Sequence, residues 1–276
     1  PELSEAEILV IANCTPYAEF LPEDVRPAVG KAVSAVWFAL ATHIGRASRL
    51  SEHAINTISH GTMFWDNAGI DVARRELALQ IEAFPQLKLE TVGLLMSYVR
   101  RLGRPSSGID EQVGALARHV DTADLSVNPL EASNRLFDLV TEVTSTVPCE
   151  GAARVANAVG QRIIQDAKRE DRLVALFVWH IPRLLRNLLP GDATEQLLAT
   201  TAELMELGPN IEGWEQTSNV VNALRRQRHS EGTEQVLQAL KGRMNLRPEI
   251  VKYSMLNKLF EGVALLRPTP GGSSLL

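Results

Sequence analysis

Clustered arginines are the residues of this chain whose type and spacing could do chemistry. Each cluster falls near the predicted C-terminal end of the first helix of a hairpin. Guanidinium groups bind phosphate oxygens, so arginines repeated along one edge could follow the backbone of an RNA. Arg and Lys also favour the last turn of helices, where they meet the negative end of the helix dipole, and this alternative stays open. The candidate RNA-binding residues are Arg100, Arg101, Arg104, Arg183, Arg186, Arg225, Arg226 and Arg228.

Motifs for catalysis or metal binding are scarce. The sequence contains no HExxH, no CxxC, no GxSxG elbow and no Gly-rich phosphate loop. His53 and His60 would share one helical face, and we interpret them as one surface and one partly buried histidine rather than a metal pair. His180 follows Trp179 on a very apolar helix and is predicted to be a hydrogen-bonded core histidine. We expect no enzyme activity, no metal, no cofactor and no small-molecule substrate.

The helices that carry the arginines repeat along the chain. LLMSYVRRLG at 94–103 resembles VVNALRRQRH at 220–229 when Leu94 is aligned with Val220. Copies of such helices start about 35 to 43 residues apart, which is the spacing of stacked helix hairpins. Second helices share a TEQ core, in GTEQVLQAL and DATEQLLATTAEL. The pattern predicts an all-α fold, arranged as a right-handed solenoid of about six antiparallel helix hairpins, an α-α superhelix.

The length of 276 residues is enough for one elongated unit or two ordinary domains, and the repeats lead us to expect a single helical-repeat domain over 1–267. Pro182 lies inside an apolar helix and predicts a kink or a break there. The predicted parts of the chain are divergent N-terminal helices at 1–50, helix-hairpin repeats at 51–247, a final unpaired helix at 248–267 and a flexible tail at 268–276.

Charge and hydropathy narrow the function classes. The formal net charge is −5, which argues against nucleic-acid attraction spread over the whole chain. Positive charge is concentrated after Gln216, where nine Lys or Arg accompany four Glu. No apolar run approaches the roughly 20 residues needed to cross a bilayer, so we expect no membrane partner. Residues 1–25 contain six acidic side chains and no Lys or Arg, unlike a signal peptide.

Segments such as TSNVVNALRRQ and SMLNKLFEG resemble the degenerate helical-repeat proteins of mitochondria and plastids. These are the octotricopeptide, RAP-associated and FAST-kinase-like families, which are related in architecture to pentatricopeptide proteins. The resemblance covers most of residues 50–265. It implies a non-enzymatic protein that binds RNA within an organellar RNA processing, editing or mitoribosome complex. It also implies a mitochondrial or other organellar matrix location; otherwise the chain reads as a soluble intracellular protein.

A protein-binding scaffold of the HEAT or armadillo kind, without direct RNA contact, is the alternative that the sequence leaves open. In that case other protein subunits are the partners, and apolar terminal helices dock against them. The candidate docking residues on the final helix are Met255, Leu259, Phe260 and Leu266.

Overall fold

The described part of the chain is helical throughout, which confirms the predicted all-α class. The computed structural model describes residues 2–15, 20–102, 104–125, 129–166, 171–209, 214–225, 227 and 230–243. These residues form twelve α-helices and no strand. The helices are α1 Glu5–Asn13, α2 Arg26–Arg46, α3 Glu52–Thr62, α4 Ala68–Ala83, α5 Leu89–Arg100, α6 Ser107–Asp121, α7 Pro129–Ser145, α8 Glu150–Asp166, α9 Asp171–Leu185, α10 Asp192–Leu207, α11 Trp214–Leu224 and α12 Glu231–Arg243.

The chain divides into two compact units, Pro1–Val127 and Asn128–Leu276. Unit 1 contains α1 to α6, and unit 2 contains α7 to α12. The single domain expected over 1–267 stays a prediction. The predicted final helix at 248–267, with Met255, Leu259, Phe260 and Leu266, and the predicted tail at 268–276 lie outside the described residues.

The six helices of unit 1 form two layers of neighbouring helices. In the odd layer α1 packs on α3 and α3 on α5, and in the even layer α2 packs on α4 and α4 on α6. Each odd helix also contacts the even helix that follows it, as expected for antiparallel hairpins. The interior is apolar, with Trp37, Ile55 and Leu77 fully buried among many aliphatic side chains.

One hydrogen bond recurs where each odd helix of unit 1 begins. A side chain of the even helix accepts the backbone N–H two residues before the odd helix starts. His43 Nδ1 accepts from Leu3 at 3.3 Å, Gln80 Oε1 accepts from Leu50 at 3.3 Å, and His119 Nδ1 accepts from Leu87 at 3.1 Å. The three hairpins of unit 1 are therefore equivalent in this structural detail, although His and Gln differ chemically.

In α4 and α6 the glycine at the second position lies directly against the backbone of the preceding even helix. A Cβ on Gly69 would overlap the carbonyl oxygen of Ser34, and a Cβ on Gly108 would overlap the carbonyl oxygen of Asp71. The glycine N–H groups are satisfied by the same neighbours: Gly69 donates to Ser34 Oγ at 3.1 Å, and Gly108 donates to Asp71 Oδ1 at 2.9 Å. Glycine is thus required here by backbone-to-backbone packing rather than by conformation.

Unit 1 buries one arginine in its core. Arg74 is fully buried and donates through one guanidinium nitrogen to the carbonyl oxygens of Thr62, at 2.7 Å, and Trp65, at 3.4 Å. Burial lowers the pKa of Arg74 to about 10, while Asp66 and Asp71 act to raise it. The guanidinium therefore closes the C-terminal end of α3, where carbonyl groups lack helical partners.

Unit 2 repeats the two-layer pattern. In the odd layer α7 packs on α9 and α9 on α11, and in the even layer α8 packs on α10 and α10 on α12. The TEQ core occupies the third to fifth positions of both α10 and α12, which confirms that these helices echo each other. Gly232, the second residue of α12, donates its N–H to Glu195 Oε2 at 3.2 Å, just as Gly108, the second residue of α6, donates to Asp71 in unit 1.

Two expectations about single helices need correction. Of the kink or break expected at Pro182, the break is wrong, because α9 is continuous through Pro182 to Leu185; the kink stays a prediction. By length and composition α2 could also cross a membrane, with 28% of that stretch buried, so an apolar run of spanning length does exist in the described part of the chain. Core helices of soluble proteins pass the same test.

Candidate nucleic-acid interface

The exposed face of α9 combines an aromatic side chain with two arginines. Trp179 is 57% exposed, and Arg183 and Arg186 are also exposed. At about 100° of rotation per residue these three positions lie within about 60° of one another. The opposite face of α9 is buried through apolar side chains, including Phe177 and Ile181. Packing of that apolar face therefore turns Trp179 and the arginines toward solvent.

Gln227 connects the end of α11 to the end of α9. Its side-chain amide donates to the carbonyl oxygens of Leu185, at 2.8 Å, and Leu188, at 3.1 Å. These carbonyls flank Arg186, and exposed Arg225 lies two residues before Gln227. The turn after α11 is thus held against the turn after α9, and the arginines of the two helix ends share one edge of unit 2. We refer to Trp179, Arg183, Arg186 and Arg225 as the α9–α11 edge.

The arginines of the α9–α11 edge are not neutralised by nearby carboxylates. Among the described residues, Arg183, Arg186 and Arg225 form no ion pair. Asp192 and Glu231, the first residues of α10 and α12, are exposed at the N-termini of those helices, where the dipole favours carboxylates. Within the described residues, the unpaired positive charge of this edge therefore lies at the ends of α9 and α11.

The arginine group of unit 1 is also exposed at a helix end. Arg100 is the last residue of α5, and Arg101 and Arg104 follow in the turn, all three exposed. Tyr98, in the last turn of α5, is half-buried and meets the ring of His60 edge to face at 5.3 Å. Burial raises the pKa of Tyr98. A ladder through all three arginine groups stays a prediction, and Arg226 and Arg228 lie outside the described residues.

The histidines behave partly as the sequence predicted. His53 is exposed and His60 is partly buried against Phe64 and Tyr98, which confirms the interpretation of that pair. His180 is only half-buried, so the prediction of a core histidine there is wrong. The core histidine of unit 1 is His119, which is fully buried. Within the described residues no three His, Cys, Asp or Glu side chains converge to hold a metal ion.

Sequence reasoning missed Trp179 and Gln227. Trp179 lies in an apolar run that reads as core in sequence, and only packing decides which face of α9 is exposed. Its spacing of four residues from Arg183 was the available signal, since residues at that spacing share a face. Gln227 gave no signal, because its partners are backbone groups about 40 residues away. No protein-family model, no curated protein and no solved structure matches the chain.

Proposed function

We propose that this protein is a non-enzymatic RNA-binding protein built from helical repeats and that it contacts the phosphate backbone along the α9–α11 edge. The observation that carries the proposal is the pair of hydrogen bonds from Gln227, which holds the arginine-bearing ends of α9 and α11 together. Guanidinium groups on one edge can each pair with a phosphate oxygen, and such pairs are charge-assisted. Binding of this kind depends on the backbone of the RNA rather than on its sequence.

Trp179 adds an aromatic surface on which an RNA base can stack, which the arginines alone do not provide. An exposed indole one turn from Arg183 offers a face on which a base can stack while the arginine holds the neighbouring phosphate. Single-stranded RNA is favoured over a duplex because only unpaired bases are free to stack on a protein side chain.

The proposal includes an architecture and a location. Contacts within each unit join odd helices to odd helices and even helices to even helices, which supports hairpins stacked as a right-handed α-α solenoid of about six repeats. The resemblance of the repeats to organellar RNA-binding proteins supports a role in an organellar RNA processing, editing or mitoribosome complex. No small-molecule substrate or cofactor is part of this function.

Charge reversal on the α9–α11 edge tests the proposal. A variant with Arg183→Glu, Arg186→Glu and Arg225→Glu should bind a labelled oligouridylate at least about tenfold more weakly than the original chain. The slope of log K against log salt should fall by about 2, because each lost phosphate contact removes about 0.7 for a single strand. Fluorescence anisotropy at several salt concentrations measures both quantities.

Arg154→Glu is the control for Arg183→Glu alone, with one charge reversal in each chain, because Arg154 is exposed on α8 in the even layer and pairs with Glu150 at 2.7 Å. This control should lose little affinity for RNA. Equal binding of oligouridylate by the triple variant and the original chain would exclude the α9–α11 edge as an RNA site. Equal weakening by Arg154→Glu and Arg183→Glu would mean that overall charge, and not this edge, attracts the RNA.

An exposed apolar face on α2 favours the scaffold function as a second candidate. Val36 and Phe38 are 48% and 45% exposed, and Ala32, Ala35 and Ala39 beside them are also exposed. Within the described residues α2 packs on α1 and α4 and leaves this face uncovered. Exposed contiguous apolar side chains mark interaction surfaces.

The two functions are separable by one substitution pair. The double variant Val36→Glu with Phe38→Glu should bind oligouridylate as the original chain does, whether or not the protein is also a scaffold. If the protein acts as a scaffold, this pair should abolish co-purification of its protein subunits after nuclease treatment. Retention of every subunit by the pair would exclude α2 as the docking face.

A further inference from the structure

The even layer of unit 2 contains a polar groove that the α9–α11 edge does not use. Its volume is about 450 Å³, and residues of α8, α10 and α12 line it. The lining consists of side-chain amides, one threonine hydroxyl, two carboxylates and two alanines, with no Lys or Arg. A surface of this composition repels phosphate and suits a ligand that brings hydrogen-bond donors and positive charge.

Hydrogen bonds inside the groove fix the orientation of two amides. Buried Thr200 donates to Asn157 Oδ1 at 2.5 Å and accepts from Gln161 Nε2 at 2.8 Å. The Asn157 carbonyl and one Gln161 donor are thereby used, and among the described residues nothing pairs with the amino group of Asn157 or the carbonyl oxygen of Gln161, so both can bind another molecule. A peptide backbone offers the matching groups, a C=O for Asn157 and an N–H for Gln161.

The spacing of these amides matches an extended peptide. Asn157 and Gln161 are four residues apart on α8, which is about 6 Å along a helix axis. Residues i and i+2 of an extended chain are about 6.6 Å apart, and their backbone groups face the same side. One extended strand along α8 can therefore use both amides at once.

Two exposed carboxylates on α10 give the groove its negative charge. Glu203 and Glu206 both line the groove, and α10 contains four acidic residues and no basic one. Glu206 lies in the last turn of α10, where the helix dipole disfavours a carboxylate. The Arg243 guanidinium at this end donates to the backbone carbonyl oxygen of Glu206.

We propose that this groove binds an extended peptide segment that carries Lys or Arg side chains. The peptide backbone pairs with Asn157 and Gln161, and a cationic side chain pairs with Glu203 and Glu206. The groove lies in the even layer, whereas the α9–α11 edge belongs to the odd helices. Substitutions in the groove should therefore leave RNA binding unchanged, and substitutions on the edge should leave peptide binding unchanged.

Fluorescence anisotropy on the full chain, with a labelled octapeptide of alternating Lys and Ala, tests the charge of the groove. The original chain should bind this peptide and should not bind its Glu-Ala counterpart. Glu203→Gln with Glu206→Gln should weaken binding by about tenfold, as expected for lost hydrogen bonds to charged groups. Glu82→Gln with Glu215→Gln removes the same charge from exposed positions outside the groove and should bind like the original chain.

The amides are tested with the same peptide. Asn157→Ala, and separately N-methylation of the peptide backbone, should each weaken binding severalfold while melting temperature shows the fold intact. The proposal is overturned if both Glu pairs weaken binding equally, or if Asn157→Ala and N-methylation change nothing. It is also overturned if the groove substitutions abolish oligouridylate binding instead, because the groove would then take RNA.

Discussion

His119 accepts the backbone N–H of Leu87 through Nδ1 at 3.1 Å, while its Nε2 lies 2.7 Å from the carbonyl oxygen of Ile81. The two contacts fix the neutral tautomer with the proton on Nε2. A proton added to Nδ1 would point at the Leu87 N–H. The position of α5 relative to α6 therefore depends on a neutral imidazole.

Acidification should destabilise unit 1 through His119. Burial lowers the pKa of His119 below its usual 6.5, so the unfolded chain takes up this proton at a higher pH than the folded chain does. The stabilisation is complete above about pH 6.5 and is lost as pH falls through the lower folded pKa. His119→Gln should flatten the dependence of the unfolding free energy on pH between 7 and 5, measured by urea denaturation.

Gln is chosen for this change because Gln80 already makes the equivalent bond to Leu50. His119→Leu leaves the Leu87 N–H without its acceptor, whereas the Ile81 carbonyl keeps the N–H of Phe84, and it should cost about 2 kcal/mol at pH 7. If His119→Gln and His119→Leu were equally stable, the hydrogen bonds at this position would contribute nothing.

Close packing of even helices makes Gly69→Ala destabilising. The new Cβ would overlap the Ser34 carbonyl oxygen, and neither backbone can move without separating α2 from α4. We expect a loss of about 1–3 kcal/mol in the free energy of unfolding, as for other overpacked sites. Gly242→Ala in α12 is the control, because nothing lies within 4 Å of its Cβ. Gly242→Ala should be neutral or stabilising, and equal destabilisation by both substitutions would contradict the packing argument.

Asp71 should stabilise the start of α6 only while it is ionised. Burial acts to raise the pKa of Asp71, but hydrogen bonds from Ser106, Gly108 and Ser107, with the charge of Arg75, lower it below 3.8 overall. The stabilisation is therefore present above about pH 4 and is lost as pH falls through the folded pKa.

Asp71→Ala should cost about 1–3 kcal/mol at pH 7, because the Gly108 N–H loses its acceptor, and should remove part of the acid sensitivity below pH 4. Asp71→Ser should recover part of this loss, since Ser34 makes the equivalent bond to Gly69. Thermal unfolding at pH 7 and pH 3 measures both effects. If the original chain, Asp71→Ala and Asp71→Ser all lost the same stability between pH 7 and pH 3, that loss would come from other carboxylates.

Trp179→Ala should weaken oligouridylate binding by about tenfold, because loss of one base–aromatic stack costs about 1–3 kcal/mol. The melting temperature should hardly change, since the side chain is more than half exposed. Leu189→Ala is the control, as Leu189 is 83% exposed in the turn after α9 but cannot stack. Equal affinity of the Trp179→Ala and Leu189→Ala chains would show that no base stacks on this indole.

Helix content and repeat spacing were predictable because they follow from apolar periodicity and helix-ending residues. The alignment of Leu94 with Val220 shows the limit of that reasoning. Leu95 and Val221, which the alignment pairs, are both fully buried. Leu94, however, is 41% exposed, whereas Val220 is 3% exposed. Neighbouring apolar residues fit either of two helix rotations, and only contacts with other helices choose between them.

Hydrogen bonds between helices that are far apart in sequence were less predictable. The N–H of Gly108 and the carboxylate of Asp71 lie 37 residues apart in sequence, and nothing local in either segment requires the other. The Thr200 hydroxyl that orients the amides of the groove likewise pairs with residues about 40 positions away. Such bonds become visible only once the helices are stacked.

The hydrogen bonds at the starts of three even helices run in one direction along the chain. Gly69, Gly108 and Gly232 each donate to a side chain of the preceding even helix, on Ser34, Asp71 and Glu195 respectively. During synthesis, each acceptor therefore leaves the ribosome before the donor that needs it. A growing chain can add its even helices one at a time, each onto a surface that is already complete.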